Sequence, residues 1–139
     1  MVPVHTGRCL CGAVRFTATG RLRGVIYCHC SQCRRQSGHF YAATSVPDAA
    51  LAIEGGDNVT WFRASAEARR GFCRTCGSAL FWKHDDRAET SLLAGAFDDS
   101  DGLAGELHIF VGDKGSYYTI DDELPRHEGP APAGRSAKP

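Results

Sequence analysis

Short runs in which apolar and polar residues alternate dominate the chain. In the first of them, Val14, Phe16 and Ala18 fall on one face of an extended strand, and Arg15 and Thr17 fall on the other. Similar runs recur between turn residues, and few segments have the periodicity of a long amphipathic helix. The pattern predicts a single, mainly β, antiparallel domain with at most one or two short helical turns. The predicted strands are residues 13–18, 25–27, 40–46, 51–54, 59–63, 78–83, 90–96, 106–111 and 117–120.

Turn residues refine this picture at three places. The sequence Gly55-Gly56-Asp57-Asn58 predicts a hairpin between the strands on either side of it. Residues 32–36 are predicted to form one helical turn, with Ser31 as its N-cap and Gly38 at its end. Residues 64–70 are rich in charge and alanine, and the sequence leaves them open between a loop and a short helix.

The seven cysteines fall into three clusters, and none lies outside them. Cys9 and Cys11 form a C-x-C pair, residues 28–33 carry a C-x-C-x-x-C trio, and Cys73 and Cys76 form a C-x-x-C pair. An odd count and C-x-C spacing fit a disulfide framework poorly. Buried, unligated cysteines would be scattered along apolar faces instead of clustering beside Gly, Arg and His. The grouping therefore indicates metal ligation.

The two pairs are predicted to form one closed zinc site. Gly12 and Gly77 follow the second cysteine of each pair, and a left-handed turn there lets backbone N–H groups face the sulfur atoms. Four cysteines complete the tetrahedral shell of a structural zinc ion. The predicted ligands of this structural site are Cys9, Cys11, Cys73 and Cys76.

The trio is predicted to hold a second zinc ion with one open position, as catalytic sites do. In an extended strand Cys28 and Cys30 point to one side and His29 to the other, while a helical turn brings Cys33 back toward the first two. Two alternatives remain open. A histidine completes a second structural site, or two of the three cysteines join the C-x-x-C pair. The candidate histidines are His39, His84 and His108, with His29 disfavoured by strand parity.

Composition narrows the functional classes. The 139 residues are 42% hydrophobic and 23% charged, as in an ordinary globular domain, and the formal net charge of zero argues against a nucleic-acid-binding surface. Neither a signal peptide nor a membrane-length apolar run is visible, so we expect a cytoplasmic protein with reduced thiols. We expect the zinc-binding domain to span residues 1–127, and residues 128–139 to form a flexible or surface-draped tail.

Cationic side chains are candidates for stabilising a developing alkoxide or for holding a substrate carboxylate. Arg34 and Arg35 lie next to the trio, and Arg69, Arg70 and Arg74 lie further along the chain. We interpret each arginine as an exposed, solvated side chain. His39, beside two aromatic residues, is interpreted either as a proton carrier or as a packing residue, and none of these six residues is placed in the catalytic set.

Four motifs occur in order over about residues 5 to 127. They are G-R-C-L-C-G-A-V from residue 7, C-H-C-S-Q-C-R from residue 28, F-C-R-T-C-G-S from residue 72, and H-I-F-V from residue 108 followed by Lys114 and Asp121-Asp122. Together they resemble the glutathione-dependent formaldehyde-activating enzyme family, also called the centromere protein V domain family. One departure is Tyr117-Tyr118, where many members of that family carry a tryptophan. We interpret it as a tolerated aromatic exchange.

The resemblance implies a β-tent scaffold with two zinc ions per chain, one structural and one catalytic. The implied catalytic ligands are Cys28, Cys30 and Cys33. It further implies a carbon–sulfur lyase, similar to S-(hydroxymethyl)glutathione synthase, whose small-molecule partners are a thiol such as glutathione and an aldehyde such as formaldehyde. Three cysteinate ligands suit activation of a thiol better than polarisation of water. The alternatives are a non-catalytic zinc-binding interaction module and an enzyme of the same type with a different thiol or aldehyde.

Overall fold

Ten β-strands and one α-helix form the regular structure of residues 1–132, the range that the computed structural model describes. The helix, α1, covers Ser31–Ser37. The strands are β1 (Val4–Arg8), β2 (Arg15–Thr19), β3 (Val25–Cys28), β4 (Tyr41–Pro47), β5 (Leu51–Glu54), β6 (Val59–Arg63), β7 (Ala68–Cys73), β8 (Ala79–His84), β9 (Glu89–Leu93) and β10 (Gly105–Ile109). Short 3₁₀ turns occupy Asp48–Ala50, Gly56–Asn58, Ala94–Ala96 and Val111–Asp113. The predicted mainly β class is confirmed.

The strands form two sheets. One contains β1, β2 and β5, and the other has the strand order β10-β3-β4-β9-β8-β7-β6. Pairing within these sheets is antiparallel except between β10 and β3, which run parallel. The parallel pair sets Ile109 beside Cys28 and His108 beside Tyr27. It therefore brings the C-terminal motif next to the end of the strand that leads into the cysteine trio.

The predicted hairpin at residues 55–58 is wrong. β5 pairs with β2 and β6 pairs with β7, so the two flanking strands belong to different sheets. Gly55 adopts a φ of +75°, and a Cβ there would lie 2.0 Å from the backbone oxygen of Ala13. Only glycine permits both the left-handed conformation and this close passage. The glycine-rich segment carries the chain from one sheet to the other.

Two further segments differ from expectation. The predicted strand at residues 117–120 is wrong, because the segment has no strand pairing and is held instead by the Lys114 ammonium, which donates to the carbonyls of Gly115 and Tyr118. Residues 64–70, left open by the sequence, lead into β7 at Ala68. The sequence pattern also fails to predict β1. The one buried residue of this strand is a glycine, and its other positions are exposed or half-buried.

Helix α1 begins with a thiol cap. Cys30, and not the predicted Ser31, is the N-cap residue, and its Sγ accepts the backbone N–H of Cys33 at 3.4 Å. Gly38 ends the helix in the left-handed conformation, with a φ of 84°, and donates its N–H to the Arg34 carbonyl, as the sequence predicts. The cap folds the chain back so that Cys33 lies next to Cys30.

Two apolar clusters fill the interior, and each incorporates part of the cysteine set. The first joins residues of both sheets and includes Val14, Phe16, Val46, Leu80, Phe81 and Leu92, together with Cys9 and Cys73. The second surrounds the trio with Ile26, Tyr41, Leu107 and Ile109. Burying this apolar surface supplies the main stabilising term for both halves of the fold.

The segment after Pro125 runs back along β10. The N–H of His108 donates to the Pro125 carbonyl, the N–H of His127 donates to the His108 carbonyl, and the N–H of Phe110 donates to the Gly129 carbonyl. Residues 133–139 of the predicted tail lie outside the described range. None of the helices in residues 1–132 combines the length and apolar character that crossing a bilayer demands.

Candidate metal centres and their surroundings

The first candidate centre is a group of four sulfur atoms, here called the four-cysteine group. It consists of Cys9, Cys11, Cys73 and Cys76. The Sγ atoms of Cys9 and Cys11 are 3.6 Å apart, and those of Cys11 and Cys73 are 3.7 Å apart. A tetrahedron with zinc–sulfur bonds of about 2.3 Å has sulfur–sulfur edges of about 3.8 Å. The spacing of the sulfurs therefore fits a zinc ion.

Backbone and side-chain donors surround these sulfurs. Gly12 and Gly77 adopt φ values of 81° and 78°, the left-handed turns that the sequence predicts. The backbone N–H of Val14 donates to Cys9 Sγ at 3.3 Å, and Asn58 Nδ2 donates to Cys73 Sγ at 3.2 Å. Donors of this kind stabilise a thiolate, which is the form that binds metal.

Hydrogen bonds favour the thiolate form of two members in particular. The Ser78 hydroxyl, the Ser78 backbone N–H and the Cys11 backbone N–H lower the pKa of Cys76 to about 5. Backbone N–H groups of Cys76 and Thr75 lower the pKa of Cys73, although desolvation opposes the shift. Although the backbone N–H of Ala13 opposes the shift, burial and hydrogen bonding with the neighbouring thiols raise the pKa of Cys11 to about 11. Cys76 and Cys73 are therefore the members prepared to bind a cation near neutral pH.

The second candidate centre is the three-cysteine group, formed by Cys28, Cys30 and Cys33. Their sulfurs lie within 4.8 Å of one another, and each residue is at most 5% exposed. Hydrogen bonding with the other two thiols, together with burial, raises the pKa of Cys28 far above its ordinary value. Three thiolates in this interior require a compensating cation. The donor set consequently fits a thiolate-binding metal ion such as zinc.

No fourth His, Cys, Asp or Glu of residues 1–132 joins the three-cysteine group. His84 lies 3.5 Å from Glu67, and His39 packs against Phe40 with ring centroids 4.2 Å apart. His29 Nε2 and His108 Nδ1 are hydrogen-bonded to each other. In the described range the sulfurs divide into four and three, without a histidine-completed cluster and without a shared site.

His29 and His108 belong to a hydrogen-bonded chain of four side chains. Tyr118 Oη lies 2.6 Å from His29 Nδ1, and His29 Nε2 lies 2.8 Å from His108 Nδ1. His108 Nε2 lies 2.9 Å and 3.0 Å from the two Asp122 carboxylate oxygens. Both histidines are buried, whereas the Asp122 side chain is 44% exposed. This hydrogen-bonded chain therefore connects the protein interior to solvent at Asp122.

When both imidazoles are neutral, the carboxylate fixes the direction of every hydrogen bond in this chain. The hydrogen bond from His108 lowers the pKa of Asp122, so Asp122 accepts from His108 Nε2–H. His108 Nδ1 must then accept from His29 Nε2–H, and His29 Nδ1 must accept from the Tyr118 hydroxyl. Burial, and then the neighbouring His108, lower the pKa of His29 to about 4, which keeps this imidazole neutral.

Tyr118 is electrostatically linked to the three-cysteine group. Burial, and then the neighbouring Tyr117, raise the pKa of its hydroxyl. The positive charge of Arg34 opposes the shift, and the negative charge of Cys28 makes a smaller contribution in the same direction as burial. The ring of Tyr118 stacks on His29 with centroids 5.6 Å apart. The Tyr118 hydroxyl is therefore within electrostatic range of a cysteine ligand candidate and of a cationic side chain.

Arg70 differs most from the sequence interpretation. It is 2% exposed, and its Nη1 and Nη2 atoms lie 3.7 Å and 3.6 Å from Cys33 Sγ. The predicted exposure of Arg70 is wrong. The sequence does not identify residues 64–70 as entering a strand, so it does not show that Arg70 lies on the inward face of β7. Of the other arginines, Arg35 and Arg74 are exposed as expected, and Arg34 and Arg69 are half-buried.

An open cleft of about 600 Å³ borders the four-cysteine group, with Cys9 in its wall. Leu10 and Ser78, from the loops of the four-cysteine group, line it together with Ser37, Phe40 and Tyr41 from the segment after α1. Tyr41 also packs in the core of the three-cysteine group. A small molecule in this cleft would lie against the wall of that core.

Comparison with known proteins places the chain in a family. The model of the family described as glutathione-dependent formaldehyde-activating enzyme matches residues 4–113, which include all seven cysteines. The chain is 25% identical over 118 residues to the uncharacterized lyase C29B12.13 of Schizosaccharomyces pombe, a match covering 84% of this chain and 85% of the relative. A Rhodobacter sphaeroides protein of known crystal structure has the same fold, with a TM-score of 0.58 at 22% identity over 87% of this chain and 98% of the other. The chain belongs to the glutathione-dependent formaldehyde-activating enzyme family.

Proposed function

We propose that this protein is a zinc-dependent carbon–sulfur lyase that adds a small thiol, glutathione or a similar one, reversibly to an aldehyde such as formaldehyde. The observation that carries the proposal is the three-cysteine group, whose buried sulfurs meet without a fourth His, Cys, Asp or Glu donor in residues 1–132. Family membership and a relative named as a lyase support it. The proposed setting is the cytoplasm, where thiols stay reduced.

We assign one zinc ion to each cysteine group. The four-cysteine group would close the whole coordination shell with protein ligands, which is the arrangement of structural sites. The three-cysteine group would provide three thiolate ligands and leave room for a substrate. A zinc ion bound there would supply an open position at which a thiol loses its proton near neutral pH.

Side chains of the protein must then transfer one proton. Addition of a thiol to an aldehyde forms one carbon–sulfur bond and moves one proton from sulfur to oxygen. Tyr118 is the group that we assign to this proton, because its hydroxyl donates to His29 Nδ1 and begins the hydrogen-bonded chain that leads to solvent. The bonds onward through His108 to the exposed Asp122 carboxylate allow exchange of that proton with solvent.

Arg34 is the cationic side chain that we assign to the developing alkoxide. It lies in α1 one residue after Cys33, and its charge reaches the Tyr118 hydroxyl. A fixed positive charge beside a forming oxyanion lowers the barrier to addition. Arg34 would stabilise the oxygen of the adduct while the cysteines hold its sulfur.

Exchange NMR spectroscopy of glutathione with formaldehyde tests the reaction directly. We expect the wild-type chain, carrying two zinc equivalents, to accelerate exchange between the free thiol and its hydroxymethyl adduct. Cys28→Ser should remain folded, lose one zinc equivalent and lose the acceleration. A wild-type protein with both metals bound that leaves the spontaneous rate unchanged contradicts the formaldehyde assignment, and a panel of other thiols and aldehydes then decides whether the lyase class survives.

A further inference from the structure

Arg70 is a charged side chain buried against one particular sulfur atom. Both terminal guanidinium nitrogens face Cys33 Sγ, at 3.7 Å and 3.6 Å. Nη2 also donates to Gln32 Oε1 at 3.2 Å, and the guanidinium carbon lies 4.9 Å from the centre of the Tyr41 ring. With 2% of Arg70 exposed, water contributes almost nothing to the solvation of this cation.

Once a metal ion is bound by the three-cysteine group, the Cys33 thiolate would be the counter-ion of Arg70. The salt bridges found in residues 1–132 involve Arg63, Lys83, His84 and His108, and none of them involves Arg70. A guanidinium without a carboxylate or another anion is strongly disfavoured in a protein interior. A thiolate at Cys33 removes that penalty, because it pairs with the cation and accepts its N–H groups.

We propose that Arg70 is a positioning residue that sets the charge of the three-cysteine group, an inference that rests on the proposed metal site. Three thiolates and one divalent ion carry a net charge of minus one, and Arg70 brings the local total to zero. A substrate thiolate that joins the group then approaches a neutral centre instead of an anion. Arg70 thereby lowers the electrostatic cost of binding the fourth sulfur.

Arg70 also makes the three protein sulfurs unequal. Both of its contacts with sulfur go to Cys33, and N–H groups withdraw electron density from a sulfur to which they donate. Cys33 is therefore the weakest nucleophile of the three and the ligand least prone to be alkylated. This keeps the reactive electron density on the incoming thiol.

Neighbouring side chains fix the fork of Arg70 in this orientation. Gln32 accepts from Arg70 through Oε1 and donates through Nε2 to the Ala64 carbonyl at 3.2 Å, so it is held at both ends. The Tyr41 ring covers one face of the guanidinium. A lysine carries the same charge but lacks the planar fork that reaches Cys33 and Gln32 together.

The test uses the full-length protein loaded with Co²⁺ and needs neither thiol nor aldehyde. The variants are Arg70→Gln, Arg70→Lys and the control Arg69→Gln, which removes the same charge from the next residue of β7, where the guanidinium lies 4.6 Å from the Trp61 ring. Chelator competition measures the affinity for each equivalent of Co²⁺. The thiolate-to-cobalt charge-transfer band reports the electron density on the sulfurs.

We expect two equivalents of Co²⁺ in the wild type and in Arg69→Gln. Arg70→Gln should bind its second equivalent about 10- to 100-fold more weakly, with the charge-transfer band at longer wavelength because Cys33 has become more electron-rich. Arg70→Lys should lie between the two. Arg70→Gln with the affinity and band of Arg69→Gln overturns the proposal.

Two further outcomes are equally decisive. If Arg70→Gln also loses the metal of the four-cysteine group, Arg70→Lys becomes the deciding variant, and an unshifted band in it overturns the proposal. A wild-type protein that binds a single equivalent contradicts the metal site and this inference with it. Failure of the glutathione–formaldehyde reaction is a separate result, because neither measurement depends on turnover.

Discussion

Replacing one cysteine in each group separates the roles proposed for them. Cys73 is fully buried at the end of β7, belongs to the first core and accepts a hydrogen bond from Asn58 at 3.2 Å. Serine at this position leaves three sulfurs to hold the metal. Cys30 instead caps α1. Because serine is itself a preferred N-cap residue, Cys30→Ser keeps the capping acceptor while it removes one ligand of the three-cysteine group.

The expected losses of folding free energy differ several-fold. A structural zinc site contributes about 10 kcal/mol or more of apparent folding free energy, against a total of about 5–15 kcal/mol for a typical domain. Losing half of that contribution, about 5 kcal/mol, lowers the melting temperature by about 15 °C in a chain of this size. Cys30→Ser exchanges a buried sulfur for a hydroxyl that keeps its backbone partner, which costs about 1 kcal/mol or about 3 °C.

Thermal melts with one equivalent of zinc per chain measure this difference. Under that condition the four-cysteine group, which has one ligand more, fills first, so metal in the three-cysteine group adds little to the melting temperature. Metal analysis after saturation should then give one equivalent for Cys30→Ser and two for the wild type. Equal losses of melting temperature in Cys73→Ser and Cys30→Ser would refute the division into a structural and a catalytic site.

Three further predictions concern the proton, the crossing between sheets and a carboxylate. Tyr118→Phe should slow catalysis by about 10²–10⁴-fold with unchanged zinc content. The matched control, Tyr117→Phe, should stay near the wild-type rate because the Tyr117 hydroxyl donates only to the Gly38 carbonyl. Equal rates in both variants would remove Tyr118 from the mechanism. Gly55→Ala should lower the free energy of unfolding, measured by urea titration, by about 3 kcal/mol, because it adds a clash with the Ala13 carbonyl to backbone strain. Gly20 has a φ of +102° but nothing within 4 Å of an added Cβ, so Gly20→Ala should cost about 1 kcal/mol. Equal costs would show that the clash is relieved. Although burial opposes the shift, hydrogen bonds from lysine and threonine partners lower the pKa of Asp48. Its contribution is therefore complete above the ordinary pKa of an aspartate and is lost as the pH falls through the lower folded value. Asp48→Asn should cost about 0.5–1 kcal/mol at pH 7, since the carboxylate is partly exposed, and a cost that stays constant down to pH 3 would contradict this assignment.

The sequence predicts those parts of the fold that depend on local pattern. Alternation along residues 13–18 and glycine at the end of α1 both have local causes, and both appear in the structure. The hairpin at residues 55–58 fails because partner choice is a tertiary matter. The turn signal is real, but the flanking strands find better-matched partners in different sheets. Strand pairing at residues 117–120 fails because side-chain contacts of Tyr118 fix that segment.

The candidate site shows the same division. Cysteine spacing is sufficient to anticipate which sulfurs would meet, because ligand pairs near glycine turns are local features. Arg70 and the chain from Tyr118 to Asp122 are assembled from segments far apart in sequence. His108 reaches His29 only because β10 pairs in parallel with β3, and no pattern within either strand reveals that pairing. Strand parity correctly predicts that His29 points away from the flanking cysteines, toward Tyr118 and His108.

Strand β7 connects the two cysteine groups. Arg70 and Cys73 lie three residues apart, about 10 Å along an extended strand. Between them, a Cβ at Gly71 would come within 3.0 Å of the Trp61 ring and 3.1 Å of the Phe81 ring, so the strand passes too tightly between these aromatic rings to slide. The four-cysteine group fixes one end of this strand, and the strand in turn fixes the distance from Arg70 to Cys33. Under the proposed assignment, the structural site thereby helps to place the charge of Arg70 at the catalytic site, because both depend on the position of the same backbone.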